Sequence, residues 1–371
     1  MVKSIPFSKK NILDKDLKLV NKILKSGWLT HGKYTEQFEN KFSQFTKSKY
    51  AVTVSSCTAG LHLICLAIGL KAGDEVLVPN LTHTATAHSA TYTGAKVKFV
   101  DINLYDGNLC VKDMLKKINA KTKAIIAVHL TGISVEIDKI LKICKKKNII
   151  LIEDCAHALG TSFKSKHVGN FGIAGSFSFY PTKQLTTGEG GMVVTNNKSI
   201  FKKIKMLKAF GIDKDIKERK IPGLYDVKGL GFNYRMTDFQ SALGLEQLKR
   251  YKKELSIRKQ NAILYCRYLK NIKNIKFNEY IDSCSYFIFP IFLKKKYRDR
   301  LIKIFKKKKV GFSVHYAKII DEMTYYKKNH SQNRNSRIYA SENISLPVHS
   351  GINKNNIVYI SKLIKKALNE N

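Results

Sequence analysis

The stretch SFYPTKQLTTGEGGMVV, residues 178–194, places Lys183 between an aromatic β-prone segment and a run that ends in Gly190 and Gly191. A lysine amine in such a setting can form a Schiff base with an aldehyde cofactor, which is how pyridoxal phosphate is held and how a lysine becomes a covalent catalyst. The chain is rich in lysine, and the ordinary reading of any one of them is a solvated side chain. Lys183 departs from that reading because of the residues around it.

Upstream, NIILIEDCAHALG (148–160) is a β-branched apolar strand over 149–152 that stops abruptly at Glu153 and Asp154. In α/β sheets ligands sit outside the carboxyl ends of the strands, so an acid at a strand end is well placed to meet one. Asp154 is therefore the candidate partner of a pyridinium nitrogen, which a carboxylate keeps protonated. The other reading makes it the N-cap of a helix over AHAL; Lys183 on a later strand of the same sheet favours the first. Further upstream, AVTVSSCTAGLHLICLAIGL (51–70) alternates over 51–55 and turns to helical spacing over 58–70. Ser56, Cys57 and Thr58 thus fall where a strand becomes a helix N-terminus, whose free N–H groups and dipole suit a phosphate. Such turns with Ser or Thr caps are also common without any ligand.

Helix and strand signals alternate along the chain, as an α/β sandwich requires. Strands are expected at 51–55, 75–79, 96–101, 123–130, 149–153, 175–180 and 192–195, with helical stretches such as 136–147 between them. The pattern supports a mixed, mainly parallel central sheet. A long helix is expected over 238–269, followed by a smaller lobe with a strand near 286–293 and a helix near 297–308. The boundary is placed near Tyr251: residues 1–250, N-terminal segment included, form the large domain, and 251–371 the small one.

With these residues in view, the chain resembles the DegT/DnrJ/EryC1/StrS family, fold-type-I pyridoxal-phosphate-dependent sugar aminotransferases. The resemblance is carried by SGWLTHGKYTEQFENKF, SSCTAGLHL, GDEVLVPNLTHTATAHSATYTGAKVKFVDI, TKAIIAVHLTG, ILIEDCAHALG, SFSFYPTKQLTTGEGGMVVTN and GFNYRMTDFQSALGLEQL. It runs from about residue 26 to about 248, with weaker echoes in GFSVHY and ISLPVHS. It implies an α/β/α sandwich with a smaller C-terminal α+β lobe, Lys183 as the Schiff-base lysine and Asp154 as the acid on the pyridine nitrogen. His157 matches a Gln or His that contacts the cofactor's phenolic oxygen. Thr58, Ala59 and Ser178 match phosphate-binding positions, and Asn233 matches an asparagine that reaches the phosphate from the neighbouring subunit, so the resemblance implies a homodimer with shared sites.

Two positions depart from the family pattern. Cys57 stands where glycine is frequent, and a structural cysteine is expected there. His83 takes the place of an aromatic that stacks on the cofactor ring; imidazole is planar but offers a smaller face and adds a titratable group. His315 and Tyr316 resemble a family loop near the sugar or nucleotide, or else are surface and lobe-packing residues; Arg235 meets a carboxylate or phosphate, or braces the dimer. The tail of GWLTHG is a candidate for closing over the site.

The resemblance further implies glutamate as amino donor and a nucleotide-linked keto-sugar as acceptor, keto at C4 in preference to C3, in the setting of surface polysaccharide assembly. Lys183 would act as general base and return the proton at C4′. Its presence disfavours the family's dehydratase branch, in which histidine replaces it.

At 371 residues and 44% hydrophobic, the chain is long enough to bury a large core. Its seven cysteines are scattered and contain no CxxC pair, which argues for reduced thiols and against a disulfide framework or a metal site. The start, MVKSIPFSKKNILD, lacks a signal-peptide core and no stretch approaches a membrane span, so a cytoplasmic protein is expected. The formal net charge of +39 invites a second reading, a basic nucleic-acid-binding or regulatory protein on the same fold. Against it, the lysines are spread over many helices, as in LKICKKKN and LIKIFKKKKVG, and no nucleic-acid motif is present. Solvated helix faces account for them, so neither nucleic acid nor membrane is expected as a partner.

Overall fold

The computed structural model describes residues 4–9, 12–214, 219–327 and 332–368. The strands of the large sheet are β1 (Tyr50–Val54), β2 (Glu75–Pro79), β3 (Lys96–Val100), β4 (Thr122–Val128) and β5 (Ile150–Asp154). After a short hairpin of β6 (Ser162–Phe163) and β7 (Lys166–His167) come β8 (Ala174–Ser178) and β9 (Gly191–Thr195). Their order across the sheet is β1-β9-β8-β5-β4-β2-β3, parallel throughout except that β9 runs antiparallel to both its neighbours. Each expected strand is present within a few residues. The strand expected over 175–180 ends at Ser178, so Lys183 lies in the turn beyond it and not on a strand.

The helices up to this point are α1 (Asp14–Lys25), α2 (Lys33–Thr46), α3 (Cys57–Ala67), α4 (Thr84–Thr91), α5 (Val111–Lys117), α6 (Ile137–Lys147) and α7 (Lys198–Leu207). They cover both faces of the sheet, and the period of two along the strands decides which residue faces which layer. Val76, Val78, Ile126 and Ile152 join the core that holds Leu61 and Ile64 of α3 and Ile204 of α7. Their neighbours Leu77, Ile125 and Leu151 join the opposite core, with Met114 of α5 and Ile140 of α6. Under α2, Phe42 packs edge-on against Phe177 and Phe179, and Phe38 lies tilted against Phe179.

An edge strand offers unpaired backbone groups that invite aggregation. In β1 these are taken up locally: Thr53 N–H donates to Glu39 Oε1 at 2.8 Å, and buried Lys208 donates to the Thr53 carbonyl at 2.9 Å.

The 32-residue α8 (Asp238–Leu269) begins with a capping box in which the Thr237 side chain accepts from Gln240 N–H. Beyond it lie β10 (Lys276–Phe277), β11 (Phe289–Phe292), α9 (Lys295–Lys307), α10 (Arg334–Glu342), β12 (Asn343–Leu346) and α11 (Lys354–Leu368), with the sheet order β10-β11-β12. The division expected at 250/251 falls inside α8. Leu245, Leu248 and Tyr251 pack in the large core, whereas Ala262, Tyr265 and Leu269 pack in the small-lobe core. Ile5, expected with the large domain, belongs to the small-lobe core, where it pairs with Val310.

The lobe is tied to the carboxyl edge of the large sheet. Asp101, just beyond β3, accepts from Asn335 N–H and from the N–H and hydroxyl of Ser336, holding the first turn of α10. All seven cysteines are free thiols. Among the described residues no helix is long and apolar enough to cross a membrane.

Candidate active site

The site is built at the carboxyl edge of β5 and β8, where Asp154 and Ser176 are register partners. Lys183 is held in a tight turn by its own N–H, which donates to the Tyr180 carbonyl at 2.9 Å. The loop closes through Phe179 N–H to Gly190 O and Thr187 N–H to Phe179 O, and Gln247 of α8 bonds both backbone groups of Thr186. Burial lowers the Lys183 amine to about 8, opposed by attraction to the Asp154 carboxylate. About a tenth of the amine is then neutral at pH 7, against less than a thousandth for an ordinary lysine.

Asp154 is buried. Its Oδ1 accepts from Ala156 N–H at 3.0 Å and its Oδ2 from the Thr86 hydroxyl at 2.8 Å, with Cys57 Sγ 4.0 Å from Oδ1. The Ala156 bond resembles a cap, but residues 155–160 form turns and no helix follows, so the helix N-cap reading fails. Burial and the Asp154 charge push the Cys57 thiol far up, leaving a neutral, buried cysteine.

His157 is also buried, and burial together with repulsion from Lys183 holds it well below its ordinary value. Its ring stacks on Phe287 with centroids 4.2 Å apart, and its Nε2 lies 3.4 Å from the Tyr316 hydroxyl. Its Nδ1 is buried with no hydrogen-bond partner among the described residues. His315 bonds Ser345 Oγ through Nδ1 at 3.1 Å and sits edge-on to His157, 5.8 Å between centroids; burial and Lys183 lower it to about 3. His83 is exposed at the rim, where its Nδ1 caps α4 and its ring meets Tyr316 edge-on. Thus the small-lobe pair His315 and Tyr316 joins Lys183, Asp154, His157 and His83 around one site.

The phosphate candidates meet at the start of α3. Gly191, register partner of Ser178, comes so close to Ser56 and Cys57 that a Cβ there would lie 2.6 Å from backbone. Ser176 Oγ donates to the Cys57 carbonyl at 3.0 Å. Ser178 is half-buried with its Oγ accepting from Tyr180 N–H, Thr58 is half-buried, and the Ala59 N–H is already used by the Ser56 hydroxyl at 3.1 Å. Asn233 is exposed and bonded to Arg235 Nε, while the Arg235 guanidinium stacks over Phe210. Their side chains meet each other and Phe210, Asn233 bridges Ala209 through the backbone, and Ser55 N–H to Tyr234 O brings the segment beside the α3 turn.

Two contributors escaped the sequence reading. Thr86 lies inside LTHTATAH, where nothing marks it out as the donor to Asp154. Phe287 lies in an apolar run that reads as core. A further cluster, His129, Glu153 and Cys155, brings three metal-ligand types within 4.8 Å. There both imidazole nitrogens and both carboxylate oxygens already have protein partners.

A half-buried lysine of lowered pKa in the turn after one strand, close enough to feel a buried carboxylate at the end of the neighbouring strand of a mainly parallel sheet, defines the site class of fold-type-I pyridoxal-phosphate enzymes. The orphaned His157 Nδ1 fits such a cofactor, which would place a polar oxygen near it. The family model for the DegT/DnrJ/EryC1/StrS aminotransferase family matches residues 10–365, and the chain belongs to that family. It is a pyridoxal-phosphate-dependent sugar aminotransferase. The chain is 33% identical to GDP-perosamine synthase of Escherichia coli O157:H7, covering 98% of this chain and 99% of that protein. It is 37% identical to the UDP-4-amino-4,6-dideoxy-N-acetyl-beta-L-altrosamine transaminase of Campylobacter jejuni, over 94% of this chain and 93% of the other. The solved structure of Helicobacter pylori PseC, an aminotransferase of pseudoaminic acid biosynthesis, superposes with a TM-score of 0.91 at 30% identity, covering 98% of this chain and 99% of that one.

Proposed function

We propose that this chain transfers an amino group from glutamate to a nucleotide-linked keto-sugar, at C4 of a 6-deoxy sugar, in amino-sugar formation for surface polysaccharide, and that it does so as a homodimer. The observation that carries the reading is the meeting of Lys183, Asp154 and the unpartnered His157 Nδ1 at one strand edge. Relatives named for perosamine and 4-amino-4,6-dideoxy sugars support the acceptor class and the ring position.

Bound at this edge, pyridoxal phosphate supplies the aldehyde that captures an amine and the ring that accepts the electron pair left when a Cα–H bond breaks. Lys183, part neutral near pH 7, would take the Cα proton of the donor and would be placed to return it to the cofactor carbon that bears the amine. The Asp154 carboxylate, fixed by Thr86 and Ala156, holds a proton on the ring nitrogen. Were the Tyr316 hydroxyl, 3.4 Å from Nε2, to donate there, His157 would carry its proton on Nδ1 and could offer it to the phenolic oxygen. Thr58, Ala59 and Ser178 receive the phosphate at the positive end of α3. His83 covers the ring from the rim, and His315 and Tyr316 meet the sugar.

Asn233 reaches the phosphate of the partner copy, and Arg235 beside it meets the partner's ligand. In support, the segment preceding Asn233 exposes Ile221, Leu224, Val227 and Leu230, the last 87% exposed. An apolar patch of this kind marks a face that another chain covers. The reading also keeps a large and a small domain joined through α8, with the segment around Ile5 packed in the small one.

The test is the visible absorbance of the purified chain with pyridoxal phosphate, followed on adding glutamate and then a panel of nucleotide-linked 4-keto and 3-keto sugars. Glutamate should bleach the band and one 4-keto sugar should restore it. A band indifferent to glutamate rejects the donor, and restoration by a 3-keto sugar alone rejects the ring position.

A further inference from the structure

We propose that Phe287 is a positioning residue for the catalytic amine: its ring is the seat over which Lys183 Nζ rests, and by stacking on His157 it holds amine and imidazole to one platform. This rests on the reading of Lys183 as the cofactor-binding lysine. Lys183 Nζ stands 4.5 Å from the centroid of the Phe287 ring, a distance at which an ammonium is attracted to the π face. The same ring is stacked 4.2 Å from His157 with planes 23° apart.

The seat is rigid because the backbone beneath it is held at both ends. Phe287 N–H donates to the Thr131 carbonyl at 3.1 Å, and its carbonyl accepts from the buried Arg258 at 3.3 Å. Next to it, the Ser285 hydroxyl donates to the His157 carbonyl at 3.2 Å and accepts from Gln184, the neighbour of Lys183, at 3.0 Å. Gly132 allows this approach, since a Cβ there would fall 2.6 Å from Ser285 Oγ. Gln184 beside the lysine, the His157 backbone and Ser285, two residues before the seat, are therefore joined through hydrogen bonds. An amine that leaves its carbonyl partner once in each half-reaction needs a fixed resting place from which to collect and deliver a proton, and Phe287 provides it.

The test uses the full-length chain freed of cofactor. Lys183 is trapped with a small aldehyde and cyanoborohydride from neutral to alkaline pH, and peptide mass mapping gives its titration midpoint. The unsubstituted chain should titrate near about 8. Phe287→Leu keeps the site apolar but removes the π face that favours the ammonium, so the midpoint should fall by about 0.5 to 1.5 pH units. Phe287→Tyr should restore it. An unmoved or raised midpoint in Phe287→Leu overturns the proposal. Should that variant not fold, the ring resonances of labelled Phe287 in the unsubstituted chain should move with the Lys183 midpoint, and flat resonances overturn it equally. Failure of the underlying reading looks different: Lys183→Ala would keep the visible band of bound cofactor, and the proposal would go with it.

Discussion

Glu153 and Asp154 leave the end of β5 one residue apart, both buried, yet their surroundings differ in kind. A carboxylate offers about four lone-pair positions. Those of Glu153 are met by four donors: the N–H groups of Phe171 and Gly172 on Oε1, and Gly169 N–H with His129 Nε2 on Oε2. His129 Nδ1 accepts from Val135 N–H, which leaves Nε2 to donate to Glu153. Asp154 has two hydrogen bonds of ordinary length and a distant thiol, and keeps acceptor capacity toward the site. Where every donor is protein, a buried acid holds the fold; where capacity is left over beside a lysine, it is available for chemistry.

Changes around these two residues can break or sharpen the contrast. Lys183→Ala should have the largest effect, removing the visible band of bound cofactor and lowering turnover by about 10³-fold or more, read by absorbance and steady-state kinetics.

Glu153→Gln comes next and should act on stability. It puts an NH₂ group against a shell of donors, at a cost of about 3 kcal/mol in urea unfolding. Burial acts to raise the Glu153 carboxyl, but the His129 bond and the N–H groups of Gly172 and Gly169 outweigh it and hold it below its ordinary value. The unfolded chain therefore binds more protons at acid pH, and the stability that Glu153 contributes is complete above 4.5 and lost as pH falls below it. Glu153→Gln should flatten that acid limb of the stability profile.

Asp154→Asn should lower kcat by about a hundredfold, with little change in urea midpoint. A variant that unfolds instead would erase the distinction between the two acids. Smallest is Thr86→Val, which takes one donor from Asp154 and should lower kcat by about tenfold with KM little changed.

Much of this is legible in the sequence. The strand ends are written in β-branched runs that stop at polar residues, and the period of two already assigns Glu153 and Asp154 to opposite faces. Which face holds the site depends on the position of β8 next to β5, and sheet order is a long-range property. Phe287 lies within the strand expected near 286–293, among the buried Tyr286, Ile288 and Phe289, and nothing local marks it out. Only its place beside a lysine 104 positions earlier gives it another part. Ile5 likewise crossed to the small lobe through a pairing with Val310 that no local pattern announces.

The sequence by itself determined the elements, the sheet class and the candidacy of Lys183 and Asp154, because periodicity and strand-end chemistry are local and repeat within a few residues. Only the tertiary structure decided which acid is closed and which is open, and that His315, Tyr316 and Phe287 come to the lysine. Those outcomes depend on hydrogen bonds and ring contacts between segments far apart in the chain, and such contacts exist only once the sheet has set its order and the small lobe has docked on its edge.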